Sequence, residues 1–463
     1  MLTPTTHARR RHLLAERLPG PVLLLGNGLR ARNLPMTKLP FRQDSTFLYF
    51  TGCDLPDAAA LLVDGRCELF LPEPAEDDAL WHGHVTTLAS IRDALGVDEV
   101  LPTERLEERL AGLTPRTLAV ADEGRNALGS RLGGTALRFG RDHGDEALMD
   151  AVIELRRAKE PDEIEQMRLA AHATHQAYLA TMGGTAPGGH ERGLWTLFEA
   201  VLRMHGLTTG YDTILSQSGE ILHNPHHGDA LTEGRLVLLD GGGELPSGYG
   251  VDITRTWPVS GRFDPRQRAA YAAVLEAQLA SIALCTPGRR YREVHDRSCE
   301  VLARFLVDEK LIRGTVEEAL ERHAHALFFP HGVGHLIGLD VHDLEMFGDR
   351  PSYPPGVGRP EPFGTCYLRL DLPLQEGWVV TVEPGFYVVP AILHDRALRE
   401  RFADLVDFDA AERWIGFGGI RIEDDVHVTV SGPDVLTAAV PKGIDELEAL
   451  IGTGPTPEQR LSV

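Results

Sequence analysis

Five side chains in the C-terminal half of the chain are of types that chelate divalent metals, and they stand beside apolar or glycine-rich runs: Asp240, Asp252, His335, Glu383 and Glu423. Unpaired carboxylates are costly to bury, so acids embedded in strand-like segments need a compensating cation. Four carboxylates and one imidazole form a mostly oxygen-rich donor set. We therefore expect two divalent metals, with Mn²⁺ as the first choice and Zn²⁺ or Co²⁺ as alternatives. Metals bridged by carboxylates generate a hydroxide nucleophile near neutral pH, which is hydrolytic chemistry.

The first two acids flank a predicted turn. Asp240 ends the apolar run 236–239, and Asp252 follows the turn-forming stretch 241–250 and precedes a second strand-like run. A hairpin would bring both carboxylates together, where they repel each other unless a cation bridges them. Either acid alone is better explained as a turn residue beside glycine, but the pair favours a shared cation.

Strand alternation places Arg421 and Glu423 on one face and the neighbouring isoleucines on the other. If that face points outward, the segment is an ordinary amphipathic strand. If it points inward, Glu423 can bridge metals while Arg421 steadies the carboxylates. Glu383 closes the apolar run 379–382, which is unusual for a glutamate, and Tyr387 shares its face if the strand resumes.

Histidines cluster in two places. His331, His335 and His342 lie within twelve residues, beside glycines that permit close backbone approach to a ligand. His223 belongs to a second group and follows two apolar residues, although a solvated loop is the alternative explanation there. A lone histidine is more often structural than catalytic, and the clustering is what favours a site.

Other sequence features exclude rival chemistry. The chain has no HExxH, Walker A or GxSxG motif, and only a weak GxG at Gly26 and Gly28, so zincin, nucleotide-binding and serine hydrolase classes lose support. The formal charge of −22 argues against binding to nucleic acid or anionic membrane. Five scattered cysteines and the absence of a signal-like or membrane-spanning apolar run predict a cytoplasmic protein.

The 463 residues predict two domains. We expect an α/β domain over residues 1–145, in which 21–25, 46–51 and 67–71 are strands and 87–95 is helical. Residues 146–463 are expected to form an α+β domain. Its predicted elements are listed here: strands at 235–240, 251–256, 378–383 and 419–430, a helical region at 265–310 and a long loop at 351–364.

At these residues the sequence resembles the pita-bread metallopeptidases, the group that includes methionine aminopeptidase, aminopeptidase P and prolidase. The similar stretches occur in the family's order: 251–256, 331–335, 338–343, 382–385 and 420–425. The resemblance implies a C-terminal pita-bread catalytic domain. Residues 41–52 also resemble the N-terminal domain of the Xaa-Pro peptidases, which shapes the cleft and mediates oligomerisation in relatives. This implies a homodimer or homotetramer.

The resemblance also implies residue roles. Asp240 would chelate one metal, Asp252 and Glu423 would bridge both, and His335 with Glu383 would complete the coordination of the second metal. Glu383 would also handle the nucleophile's proton. Substrate contact and stabilisation of the tetrahedral intermediate would fall to His342 and His223, with His331 lining the same pocket. Tyr387 and Arg421 match residues that support the ligands.

The sequence leaves the substrate specificity open between that of aminopeptidase P, which accepts longer peptides, and that of prolidase, which cleaves dipeptides. Arg369 resembles the prolidase arginine that clamps a dipeptide's terminal carboxylate, a geometry suited to guanidinium, although a surface loop arginine is the alternative. Two departures bear on this choice: one extra residue separates Asp240 from Asp252, and residues 344–366 and 390–414 are expected to be long loops, as in prolidase.

The sequence therefore predicts a metallo-exopeptidase that removes the residue preceding proline from short proline-containing peptides, of the Xaa-Pro aminopeptidase or Xaa-Pro dipeptidase type. A noncatalytic pita-bread interaction protein and a creatinase-like amidinohydrolase are the alternatives, and the retained ligands disfavour both.

Overall fold

The structure is a computed structural model that describes residues 2–74, 78–83 and 86–461. The chain separates into two compact units, Met1–Arg157 with Leu344–Pro351, and Ala158–Asp343 with Ser352–Val463. Each unit mixes helices with strands, as the sequence predicted. Among the described residues, no helix has the length and apolar content that a membrane crossing requires.

The first unit is built on a mixed five-stranded sheet, whose spatial order is Glu99–Pro102, Arg66–Leu71, Ala59–Val63, Val22–Leu25 and Arg116–Thr117. The two outermost pairings are parallel and the two inner pairings are antiparallel. A hairpin of Ala31–Leu34 and Thr37–Lys38 stands apart from the sheet. The helical segments of this unit are Pro4–Arg17, Ser45–Thr51, Asp78–His82, Leu88–Leu95, Thr103–Arg105, Leu106–Arg109, Glu123–Gly133, Glu146–Arg157 and Glu345–Phe347.

One predicted strand in this unit is wrong, because Ser45–Thr51 is a helix. The aromatic and β-branched residues of this segment favoured a strand. Its ends instead carry helix caps: the Asp44 side chain accepts a hydrogen bond from the backbone of Phe47, and Gly52 adopts a left-handed conformation. All seven helical residues are buried, so packing and capping outweigh the strand preference.

The second unit contains two three-stranded antiparallel sheets. One has the order Thr254–Pro258, Leu236–Asp240 and Ile214–Ser216, and the other has the order Val379–Val382, Asp424–Thr429 and Gly432–Val435. Two smaller ribbons pair Gly385–Tyr387 with Gly419–Arg421, and Gly243–Glu244 with Thr208–Thr209. The predicted strand 419–430 is therefore two strands that belong to different sheets.

Helices pack against these sheets around one apolar core, which includes Trp257, Trp378 and Tyr178. The predicted helical region 265–310 consists of two helices, and the segment 390–414 contains three short helices rather than a long loop. Residues 351–364 form no helix or strand, as predicted. The helical segments of this unit are Pro161–Gly183, Glu191–Met204, Pro265–Ile282, Tyr291–Asp308, Val316–Glu321, Ala324–Leu327, Pro390–Leu393, Arg396–Phe402, Phe408–Glu412, Ile444–Leu450 and Pro457–Leu461.

Candidate metal centre and active site

The predicted hairpin that carries Asp240 and Asp252 is present. Its strands pair antiparallel, with Asp240 opposite Thr254. The buried Tyr178 hydroxyl donates to the Ile253 carbonyl at 2.5 Å and lies 3.2 Å from the Leu239 carbonyl. It therefore contacts the backbone next to both aspartates and holds the two chain segments together. Both carboxylates therefore reach the same buried space.

Arg421 and Glu423 face this space together. The Arg421 Nη2 atom donates to Asp240 Oδ2 at 2.5 Å, and the Thr254 hydroxyl donates to Glu423 Oε2 at 2.6 Å. Ile420 and Ile422 pack into the core with no exposed surface. The inward arrangement considered for this strand is thus the one observed.

His335 and Glu383 are held in the cluster by backbone hydrogen bonds between their two segments. The backbone of His335 is bonded to the strand Val379–Val382 through Thr381, and the Glu383 amide donates to the Val333 carbonyl at 2.8 Å. Gly334 has a φ of +152°, and a Cβ there would lie 2.3 Å from the Thr381 carbonyl oxygen. Only glycine allows the histidine segment to approach this strand so closely.

The five predicted ligands fall into two groups of three that share Glu423: Asp240, Asp252 and Glu423, and His335, Glu383 and Glu423. A third group joins Asp252 and His335 to His342, and within each group the ligand atoms lie within 4.8 Å of one another. His335 Nδ1 lies 3.0 Å from the Leu336 carbonyl, so this nitrogen holds a proton and Nε2 is the nitrogen that faces the carboxylates and could bind a metal. His335 Nε2 lies 3.4 Å from Asp252 Oδ2 and 3.8 Å from Glu383 Oε1.

The charges of this cluster fit divalent cations. Burial raises the pKa of Asp240 and Glu423, and it raises the pKa of Glu383 to about 7. For Asp252, hydrogen bonding and charge from His335 outweigh burial and lower the pKa. Among these carboxylates, Asp240 forms an ion pair with the guanidinium of Arg421. Buried carboxylates in such excess require further positive charge, and their oxygens with one imidazole are donors for hard divalent ions.

A chain of hydrogen bonds leads from the carboxylates to His331. Arg421 Nη1 donates to the Tyr387 hydroxyl at 3.1 Å, and that hydroxyl lies 2.9 Å from His331 Nε2. Burial, together with the charge of Arg421, lowers the pKa of His331 to about 3. His331 is therefore a neutral hydrogen-bonding group at neutral pH, held in place by the two predicted supporting residues.

The remaining predicted residues lie around this centre. The His342 ring stacks on His335, with ring centroids 3.9 Å apart and planes inclined by 21°. Arg369 and His223 are close enough to His331 for their charges to contribute to its lowered pKa. His223 and His342 are exposed and Arg369 is half-buried, which leaves them open to a ligand.

Two site residues escaped the sequence analysis. The Tyr211 hydroxyl contacts Asp240 Oδ1 at 2.7 Å and Asp252 Oδ1 at 2.5 Å. Thr254 bonds Glu423 and also lies 3.1 Å from Arg421 Nε. Thr254 could have been found, because it lies two residues after Asp252 within the predicted strand 251–256. Tyr211 carried no signal, since its segment has no periodic pattern and lies far from both aspartates in the sequence.

Comparisons with known proteins agree with this geometry. The metallopeptidase family M24 matches residues 165–430, and the N-terminal domain of aminopeptidase P matches residues 7–119. A probable Xaa-Pro aminopeptidase of Aspergillus fumigatus is 32% identical over 96% of each chain, and one of Ajellomyces capsulatus is 34% identical over 89% of this chain and 88% of the relative. Aminopeptidase P of E. coli, solved with the inhibitor Pro-Leu, superposes with a TM-score of 0.79 and 29% identity over 97% of this chain and 98% of that chain.

The family match covers more than half of the chain, and both halves of the sequence find their counterparts in one class of relatives. The predicted resemblance and the predicted fold class are therefore confirmed. This chain belongs to metallopeptidase family M24 and, within it, to the Xaa-Pro peptidases, with an aminopeptidase P N-terminal domain followed by a pita-bread domain.

Proposed function

We propose that this protein is a Xaa-Pro aminopeptidase that binds two divalent cations, with Mn²⁺ preferred, and hydrolyses the bond between an N-terminal residue and a following proline in short peptides. The observation that carries the proposal is the cluster of four carboxylates and His335, in which Asp240 is paired with Arg421. Membership of family M24 supports the same conclusion.

The proposed chemistry divides among the residues described above. Two divalent cations in this cluster would lower the pKa of water enough to supply a nucleophile near neutral pH. Glu383 lies at this cluster and is the carboxylate that would accept a proton from that water and return it to the leaving nitrogen. His342 and His223 stabilise the negative charge that develops on the substrate carbonyl oxygen, and the neutral His331 lines the same pocket.

Substrate choice follows from proline and from Arg369. Proline's tertiary amide and fixed ring demand a pocket shaped for them, and one relative was solved with the proline dipeptide Pro-Leu as inhibitor. Arg369 binds the terminal carboxylate of a short peptide, so dipeptides are also substrates. Residues 1–145 shape the cleft and mediate assembly into a homodimer or homotetramer, and the enzyme acts in the cytoplasm.

Hydrolysis of Ala-Pro and Ala-Pro-Ala by chelator-stripped protein, before and after addition of Mn²⁺, tests this function. We expect no release of alanine from either peptide without metal and release from both with Mn²⁺. Parallel additions of Zn²⁺ and Co²⁺ test the metal preference. Cleavage of the tripeptide alone would contradict the role of Arg369, and cleavage of neither peptide with any metal would overturn the function.

Two variants make the test specific. Asp252→Ala removes a bridging carboxylate, so we expect a folded protein with no metal-dependent turnover, and undiminished turnover would refute the site. Arg369→Ala should lower kcat/KM for Ala-Pro more than for the amidated tripeptide Ala-Pro-Ala-NH2, which has no terminal carboxylate to bind. An equal loss on both peptides would show that Arg369 does not read the carboxylate.

A further inference from the structure

A buried ion pair lies directly behind the histidine segment of the site. Lys159 Nζ is 2.8 Å from Asp343 Oδ2, and both side chains are only 1% exposed. The desolvation of two such charges offsets much of their attraction, so a buried ion pair is weak evidence for stability and better explained by the conformation that it specifies. The conformation in this case is that of the segment between His335 and Asp343.

This segment is a tight loop that closes on itself. The Asp343 amide donates to the Leu336 carbonyl at 2.9 Å, and the same carbonyl lies 3.0 Å from His335 Nδ1. His342 immediately precedes Asp343, and its ring stacks on His335. Because the two residues are adjacent, the position of Asp343 constrains the position of the His342 backbone.

Lys159 is itself held rigidly. Its amide donates to the Gly377 carbonyl at 2.7 Å, and two residues later the 23-residue helix Pro161–Gly183 begins. Gly338 lies against the pair, because a Cβ at this position would be 2.5 Å from Lys159 Cε and 2.8 Å from Asp343 Oδ2. The loop, the lysine and the helix start thus form one packed unit with no room for an additional methyl group.

We propose that Lys159 is a positioning residue for the reaction: by holding Asp343, it fixes the loop so that His342 stays over His335 and faces the substrate carbonyl. Lys159 touches no reacting atom in this scheme. The proposal rests on the proposed function, since it assigns a role to the loop that presents His342. It predicts that loss of the pair impairs turnover more than substrate binding.

Kinetics of three variants with Mn²⁺ and Ala-Pro-Ala test this role. Lys159→Met removes the ammonium, and Gly338→Ala displaces it while leaving both charges in place. We expect kcat to fall about 10- to 100-fold in each, because a displacement of about 1 Å has such an effect, with KM changed less than about threefold. The double variant Lys159→Met, Asp343→Leu replaces the pair by apolar groups, so it should recover thermal stability but not kcat.

Controls separate positioning from general destabilisation. Arg292→Met removes one of the two arginine partners of the buried Asp371 carboxylate, on a different segment, and should leave kcat near the wild-type value even if the melting temperature falls. Recovery of kcat together with stability in the double variant, or an equal loss of kcat in Arg292→Met, would overturn the proposal.

Crystal structures of the wild type and of Gly338→Ala provide a readout that does not depend on turnover. We expect the His335–His342 ring separation to lengthen from 3.9 Å in the variant. An unchanged stack would refute the positioning role even in an active enzyme. A wild type that cleaves neither peptide would refute the proposed function, while a displaced His342 would still support the structural link between Lys159 and this loop.

Discussion

Thr254 and Thr256 offer a comparison between two hydrogen-bonding threonines on one strand. Both are fully buried and point to the same face of Thr254–Pro258. The Thr254 hydroxyl donates to the Glu423 carboxylate at 2.6 Å and accepts from Arg421 Nε at 3.1 Å. The Thr256 hydroxyl bonds the backbone of Arg421, donating to its carbonyl at 3.0 Å and accepting from its amide at 3.2 Å.

Substitution of either threonine by valine keeps the side-chain shape and removes two hydrogen bonds. Bonds to charged groups contribute about 1.5–3 kcal/mol each and neutral bonds about 0.5–1.5 kcal/mol each. We therefore expect Thr254→Val to lower the free energy of unfolding by about 3–6 kcal/mol and Thr256→Val by about 1–3 kcal/mol. Metal affinity should fall about 10- to 100-fold in Thr254→Val alone, because only Thr254 orients a ligand carboxylate.

Urea unfolding of the metal-free proteins measures the first quantity, and calorimetric titration with Mn²⁺ measures the second. Both variants exchange a buried threonine for valine. A difference between them in unfolding free energy or in Mn²⁺ affinity therefore comes from the contacts of Thr254 with Glu423 and Arg421. Equal losses of metal affinity in both variants, or an unchanged affinity in Thr254→Val, would refute the reasoning that Thr254 holds Glu423 in place.

Two further predictions concern the carboxylates. Tyr211→Phe removes the hydroxyl that contacts Asp240 and Asp252, so we expect Mn²⁺ affinity to fall about tenfold in calorimetric titration; an unchanged affinity would show that the hydroxyl does not organise the pair. The raised pKa of Glu383, about 7, means that the metal-free protein binds an extra proton between pH 4.5 and 7. This proton stabilises the folded state fully below pH 4.5, and the stabilisation is lost as pH rises through 7. The free energy of unfolding of the metal-free protein, measured in urea, should therefore fall over this range. Mn²⁺ affinity should rise over the same range, because binding of the metal releases this proton. Calorimetry in two buffers of different ionisation enthalpy measures the release. If no proton is released at pH 6, the raised pKa of Glu383 is contradicted.

The members of the carboxylate and histidine cluster could be picked out from the sequence because each stands in a strong local pattern. An aspartate at the end of an apolar run, a glycine-rich turn and a second run already predict the hairpin of Asp240 and Asp252. The alternation around Arg421 likewise predicts two charged side chains on one face. Local sequence could not decide whether that face points inward, since this depends on the sheet that the strand joins.

Other features depend on partners far away in the sequence. Residues 45–51 have strand-forming side chains, but capping by Asp44 and Gly52 and complete burial make them a helix. The segment 419–430 divides at Glu423, because Gly419–Arg421 pairs with Gly385–Tyr387 while Asp424–Thr429 pairs with Val379–Val382. Competition between tertiary contacts and local preference decided both cases.

The sequence by itself determined which atoms can bind metal, because donor chemistry belongs to side-chain type and the strand ends that present these donors are local. Only the tertiary structure decided which residues orient those donors. Tyr211 reaches Asp252 across 41 positions, and Lys159 reaches Asp343 across 184. A hydrogen bond or ion pair depends on distance in space, and over such separations no local pattern encodes that distance.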